Sequence, residues 1–92
     1  MLLSLDERKA DLINKILLAS SREDVQIFSD AAIKALKQHE KHEDVIIRFA
    51  DKMITELVLL SPMNKNAQQW SNITMARIIF NRFKYKEYRA AK

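Results

Sequence analysis

The sequence contains no glycine, and Pro62 is its only proline. Tight turns and sheet connections rely on glycine, because glycine takes positive φ angles without steric cost. A chain without glycine is therefore poorly suited to an all-β or an α/β fold. This feature predicts an all-α protein.

The length and the cysteine content narrow the class further. The chain has 92 residues, of which 48% are hydrophobic, so we expect one domain over residues 1 to 92 with a working core. There is no cysteine, which excludes disulfides, thiol catalysis and cysteine-ligated metals, and which fits a reducing compartment. The opening MLLSL is too short for a signal-peptide core, and no run of eighteen apolar residues occurs. We expect a soluble, cytoplasmic protein without a membrane span.

Two capping boxes predict where the first two helices begin. Ser4 and Glu7 have the spacing of an N-cap residue and its partner three positions later, and Ser20 and Glu23 repeat the pattern. The apolar face after the second box is rotated by about 140° from the face before it. One straight helix could not bury both faces on one side, so the pattern predicts a break at the second box.

The polar stretch from Lys37 to Asp44 leaves the number of helices open. It has the composition of a linker, which favours four helices. It contains no helix breaker, however, and the apolar residues on both sides of it continue one heptad seam. Residues 22 to 60 could then form one helix about 57 Å long. The predicted fold is a small antiparallel bundle of three or four helices, the three-helix version having one long central helix.

The heptad seam passes through two histidines, His39 and His42. If a long central helix dimerised along this seam, protonation at about pH 6 would bring positive charges together and weaken the dimer. Two histidines three residues apart could also be a metal site, but zinc needs at least a third protein ligand and no further histidine exists. We therefore predict no metal site.

Pro62 marks the connection to the last helix, because the residue before a proline disfavours the helical conformation. Asn64 and Asn66 could supply the positive φ angles that glycine would otherwise provide. The last helix is expected to begin between Asn66 and Asn72. Its predicted core face consists of Ile73, Ala76, Ile79, Phe80 and Phe83.

The positive charge is concentrated at the carboxyl end of the chain. Residues 77 to 92 contain six basic residues and one acidic residue, whereas the preceding residues contain ten basic and eleven acidic residues. The net charge of +4 therefore comes entirely from this last segment. Such a charge asymmetry is typical of proteins that bind a polyanion, so polyanion binding is one candidate function.

The last helix also has a second, partly apolar side. An arc roughly opposite the core face, at 100° per residue, contains one methionine, one isoleucine, one tyrosine and two arginines. Tyrosine and arginine are favoured at protein interfaces, because each combines a broad apolar contact with hydrogen bonding. We take this arc, with the flanking Lys86, as the candidate partner-binding face: Met75, Ile78, Arg82, Tyr85, Lys86 and Arg89.

Three interpretations of this second side remain open. It could be covered by the chain's own helices, it could bind a protein or a second copy of the chain, or it could bind nucleic acid. In the third case lysine and arginine would contact phosphates, and tyrosine could stack on unpaired bases. The candidate nucleic-acid residues are Arg77, Arg82, Lys84, Lys86, Arg89 and Lys92.

No motif specifies a chemical reaction. Without glycine the chain has neither a P-loop nor a G-x-S-x-G elbow, and its carboxylate pairs lie at predicted helix starts, where the helix dipole explains them. We therefore predict a non-enzymatic protein with no catalytic residues, no cofactor and no small-molecule substrate. Its predicted role is that of a small helical interaction module. The alternative is a nucleic-acid-binding accessory protein.

Overall fold

The computed structural model describes residues 4–40 and 42–90, and within them the chain is all-helical, with no strand. Four α-helices follow one another, with a short 3₁₀ turn at Pro62–Asn64 before the last of them. The helices are α1 (Leu5–Leu18), α2 (Arg22–His39), α3 (Glu43–Leu59) and α4 (Ala67–Ala90). The prediction of an all-α fold is confirmed, and the helix count within the described residues is four.

The alternative with one long central helix is wrong. Glu40 leaves the helical conformation at φ −124° and ψ 124°, and its side chain accepts a hydrogen bond from the backbone N–H of His42 at 3.0 Å. His42 is the extended residue before α3, and both His39 and His42 are exposed. The predicted heptad seam is therefore interrupted, and the histidine-dependent dimer has no structural basis.

Polar side chains fix the starts of three helices. Ser4 Oγ accepts a hydrogen bond from the N–H of Glu7 at 3.1 Å, as the first capping box predicts. The second box lies one residue later than predicted, because Ser21 rather than Ser20 is the N-cap and accepts from Asp24 N–H at 3.2 Å. In α4 the start is at Ala67, inside the predicted interval.

Asn66 begins α4 through a reciprocal pair of hydrogen bonds. Its side-chain Oδ1 accepts from the N–H of Gln69 at 2.8 Å, and its own N–H donates to Gln69 Oε1 at 3.1 Å. This is the geometry of a capping box. The expectation that Asn64 and Asn66 take positive φ angles is wrong, because no described residue has a positive φ.

The helix ends explain how the chain folds without glycine. Helices commonly finish with a left-handed residue, usually glycine. Here the residues that follow the first three helices, Ala19, Glu40 and Leu60, are all extended, with ψ between 124° and 143°. An extended residue needs no positive φ, so any amino acid can occupy these positions.

The core lies around α4, which packs against each of the other three helices. All five residues predicted for its core face are buried, and the rings of Phe80 and Phe49 meet edge to face, with centroids 6.5 Å apart. The remaining buried apolar residues come from α1, α2, α3 and the first connection: Leu12, Ile16, Ala19, Val25, Leu36, Ile46, Ala50, Met53 and Leu57.

Contacts along the helices show the directions of two of them. Arg22, at the start of α2, lines the same hollow as Met75 in the first half of α4, and Lys37, near the end of α2, contacts Glu87 near the end of α4. The two helices therefore run in the same direction where they meet. The second and fourth helices of an alternating bundle share a direction, so this arrangement is compatible with the predicted antiparallel succession.

No helix in the described part of the chain combines the length and the apolar character needed to cross a lipid bilayer.

Candidate functional site

The second side of α4 is incompletely covered by the rest of the chain. Met75 is half-buried and packs against the core, whereas Ile78 is 38% exposed and Tyr85 is 61% exposed. Arg82, Lys86 and Arg89 are exposed. Within the described residues, the interpretation in which the chain's own helices cover this side holds only near Met75.

This side of α4 forms one wall of a groove whose other wall is α2. The groove has a volume of about 540 Å³. Its floor and walls are mainly apolar, with Ile33 from α2 opposite Ile79 and Phe83 from α4, and Tyr85 at the rim. The remaining lining residues are polar or charged: Gln26, Asp30, Arg82 and Lys86.

The groove continues toward the start of α2. A second hollow of about 510 Å³ shares Gln26 and Arg82 with the first. Its other lining residues are Arg22, Glu23, Met75 and Ile78. The two hollows together follow α2 and α4 over about three helical turns, and we refer to them as the α2–α4 groove.

Two cation–π contacts involve aromatic residues that line the groove, Phe83 and Tyr85. The ammonium group of Lys37 lies 5.4 Å from the centroid of the Phe83 ring and forms an ion pair with Glu87. Glu87 therefore links the ends of α2 and α4, and it lines neither of the two hollows. The guanidinium of Arg89 lies 5.7 Å from the Tyr85 ring, which restrains the exposed ring through a cation–π contact.

The two walls of the groove carry different charges. On the α2 wall, Glu23 and Asp30 are acidic, and Asp30 Oδ1 accepts a hydrogen bond from Gln26 Nε2 at 2.8 Å. On the α4 wall, Arg82 and Lys86 are basic, and neither of them forms an ion pair within the described residues. Arg22, the first residue of α2, adds one positive charge beside Glu23.

The structure brings most of the predicted partner-binding residues together. Met75, Ile78, Arg82, Tyr85 and Lys86 all line the α2–α4 groove, and Arg89 contacts it through Tyr85. Sequence reasoning missed the contribution of α2, above all Ile33, Asp30 and Gln26. The available signal was that Ile33 falls outside the predicted apolar face of α2, although a single residue does not reveal which helix lies opposite. That predicted face consists of Val25, Phe28, Ala32, Ala35 and Leu36.

The predicted nucleic-acid residues do not share one surface. At 100° per residue, Arg77 and Lys84 are rotated from Arg82 and Lys86 by more than about 100° around α4. Lys84 Nζ instead faces α3, where it contacts Asp51 Oδ1 at 2.7 Å. Lys92 lies outside the described residues. The basic residues that face one way are therefore Arg82, Lys86 and Arg89.

The described residues contain no group of three or more histidine, cysteine, aspartate or glutamate side chains that could hold a metal ion. His39 and His42 lie on either side of the break between α2 and α3, and both are exposed. The geometry found around α4 is that of an apolar groove with charged edges.

Comparison of the chain with protein-family models, with curated proteins and with solved structures finds no match.

Proposed function

We propose that this chain is a non-enzymatic helical interaction module, acting in the cytoplasm, that binds a protein surface in its α2–α4 groove. The proposal takes the four helices to be arranged as an antiparallel bundle. The observation that carries it is the apolar groove beside an exposed tyrosine, with Ile33, Ile79 and Phe83 as its floor and Tyr85 at its rim. Tyrosine is among the residue types most enriched at interface hot spots.

The length of the groove suits a helical element of a partner protein. From Met75 to Lys86, α4 rises by about 17 Å, which matches three turns of a bound helix. Charged side chains flank the apolar floor on both walls, as the polar rim of a protein interface flanks its apolar centre. Small-molecule sites instead concentrate a few convergent polar groups in an enclosed cavity.

Site-specific photo-crosslinking in the source cells tests the proposal. A photoreactive phenylalanine derivative replaces Tyr85, and a matched variant carries the same residue at Arg48, an exposed position on α3. The proposal predicts one discrete protein adduct at position 85, either with another protein or with a second copy of the chain. That adduct should be lost when Ile33→Asp is added, because a carboxylate in the groove floor disfavours apolar contact.

A discrete adduct at position 48 but not at position 85 would contradict the proposal. So would an adduct at position 85 that persists in full when Ile33→Asp is present. Circular dichroism of each variant checks that the helices remain folded.

Nucleic-acid binding is the second candidate, and the cluster of Arg82, Lys86 and Arg89 around Tyr85 favours it. Fluorescence anisotropy with labelled duplex DNA and single-stranded RNA, at about 50 and 200 mM salt, separates the two functions. A nucleic-acid site would lose affinity steeply with salt, with a log–log slope of about −3 for three neutralised phosphates. We expect neither the duplex DNA nor the single-stranded RNA to bind, even at the lower salt concentration.

A further inference from the structure

The distribution of charge around the groove restricts what can occupy it. A uniformly acidic partner would meet Glu23 and Asp30 on the α2 wall, and a uniformly basic partner would meet Arg82 and Lys86 on the α4 wall. Juxtaposed like charges at an interface are costly. The occupant must therefore have an apolar centre, a basic flank that faces α2 and an acidic flank that faces α4.

The chain itself has a surface of this description. Its α4 wall is the basic flank, its α2 wall contains the acidic flank, and the side chains between them are apolar. We infer that the α2–α4 groove is the self-association surface of this chain, and that two copies bind there through a two-fold axis that runs along the groove. This inference rests on the proposed function and specifies its partner.

The direction of the helices makes the pairing geometrically consistent. Because α2 and α4 run in the same direction, a two-fold axis parallel to them places α2 of each copy over α4 of the other copy. The rotation leaves the position of every residue along the axis unchanged. Asp30 lines the same hollow as Arg82 and Lys86. The axis therefore brings Asp30 of each copy to the basic wall of the other copy, twice in one interface.

The apolar residues at the rim support the same occupant. Tyr85 and Ile78 lie on the α4 wall, 61% and 38% exposed. In the two-fold arrangement the α4 wall of each copy covers the α2 wall of the other. Both side chains therefore lose contact with water when the dimer forms. Burying apolar surface is the main favourable term in most protein–protein association.

A charge-reversal experiment tests the inference on the whole chain. One variant reverses the acidic wall by Asp30→Lys, and the other reverses the basic wall by Arg82→Glu together with Lys86→Glu. All three side chains are exposed, so the fold should survive both changes. Sedimentation velocity from about 1 µM to 1 mM measures association of each variant alone and of their equimolar mixture.

The wild-type chain is expected to dimerise in this range, and each variant alone should dimerise at least about tenfold more weakly, because like charges then face each other. The mixture should regain a dimer, since both contacts of the mixed pair again join opposite charges. Reversing Lys84, which contacts Asp51 on the other side of α4, is the matched control and should leave the dimer unchanged.

Two results would overturn the inference. The first is a wild-type chain that stays monomeric up to about 1 mM, and the second is a mixture that associates no better than the separate variants. If the monomer result is accompanied by a crosslink from position 85 to a different protein, self-association is wrong and the proposed interaction function stands. If neither dimer nor crosslink forms, both are wrong.

Discussion

The side-chain amide of Asn72 donates a hydrogen bond of 2.9 Å to the backbone carbonyl of Ala19, the residue that follows α1. The same Nδ2 atom donates to the carbonyl of Ile16 at 3.0 Å, and Gln68 Nε2 donates to Asn72 Oδ1 at 2.9 Å. The last carbonyls of a helix have no partner within the helix. Asn72, which is completely buried, satisfies two carbonyls at this end and fixes the connection between α1 and α2 on α4.

Asn72→Ala should therefore lower the free energy of unfolding by about 2–4 kcal/mol, because the Ala19 carbonyl loses its donor, the Ile16 carbonyl keeps only the N–H of Ala19 at 3.3 Å, and a cavity forms. Urea denaturation followed by circular dichroism measures the change. Thr74→Ala, an exposed substitution on the same helix, is the control and should change stability by less than about 0.5 kcal/mol. Equal stability of the two variants would show that the Asn72 contacts carry little energy.

Ser29 is the opposite case, a buried polar group that no partner satisfies. Its hydroxyl is inaccessible to solvent and has no hydrogen-bond partner in the described structure. Ser29→Ala should be neutral or should raise the free energy of unfolding by up to about 1 kcal/mol, because it removes the cost of an unpaired hydroxyl. The same urea experiment measures it. A loss of more than about 1 kcal/mol would mean that the hydroxyl is bonded in solution.

Lys37 couples the end of α2 to the end of α4 through the Phe83 ring and Glu87. The Glu87 side chain is only 14% exposed, so removing its cation leaves a poorly solvated carboxylate. Lys37→Met, which keeps the packing over Phe83, should destabilise the chain by about 1–2 kcal/mol. Adding Glu87→Gln should recover most of the loss. If the double variant is less stable than Lys37→Met alone, loss of the Lys37–Glu87 ion pair is not the cause of the destabilisation.

Two tyrosines on α4 offer a matched comparison for binding. Tyr85 and Tyr88 are 61% and 53% exposed, but only Tyr85 lines the α2–α4 groove. Tyr85→Ala should weaken dimerisation by about 1–3 kcal/mol with little effect on folding, as expected of an interface hot spot. Tyr88→Ala should leave the dimer unchanged. Sedimentation velocity measures both, and equal weakening by the two substitutions would place the interface elsewhere.

Much of the fold could be predicted from the sequence, because local chemistry determines it. The capping serine of α1 and the core stripe of α4 are local patterns, and both occur where predicted. The sequence does not decide whether the chain breaks at Glu40, because the stretch around it contains neither glycine nor proline. The competing heptad continues across the break, and only tertiary packing decides between the two.

The sequence predicts the α4 wall of the candidate site but not its α2 wall. Periodicity places Ile78, Arg82 and Tyr85 on one side of α4, but it does not reveal which helix lies beside them. Ile33 and Asp30 become part of the site because α2 packs against α4 in the same direction. The separation of Lys84 from Arg82, by contrast, follows from helix periodicity alone, and α3 adds the contact of Lys84 with Asp51.

A concentration series of ¹H–¹⁵N spectra tests most directly whether the α2–α4 groove is the interaction surface. As the chain is concentrated to about 1 mM, the account predicts that the amide signals of Ile33, Phe83 and Tyr85 shift together. The indole signal of Trp70, in the first turn of α4, should stay fixed and serves as an internal reference. Shifts centred on Trp70 and the exposed Leu59, with the groove signals unchanged, would contradict the account.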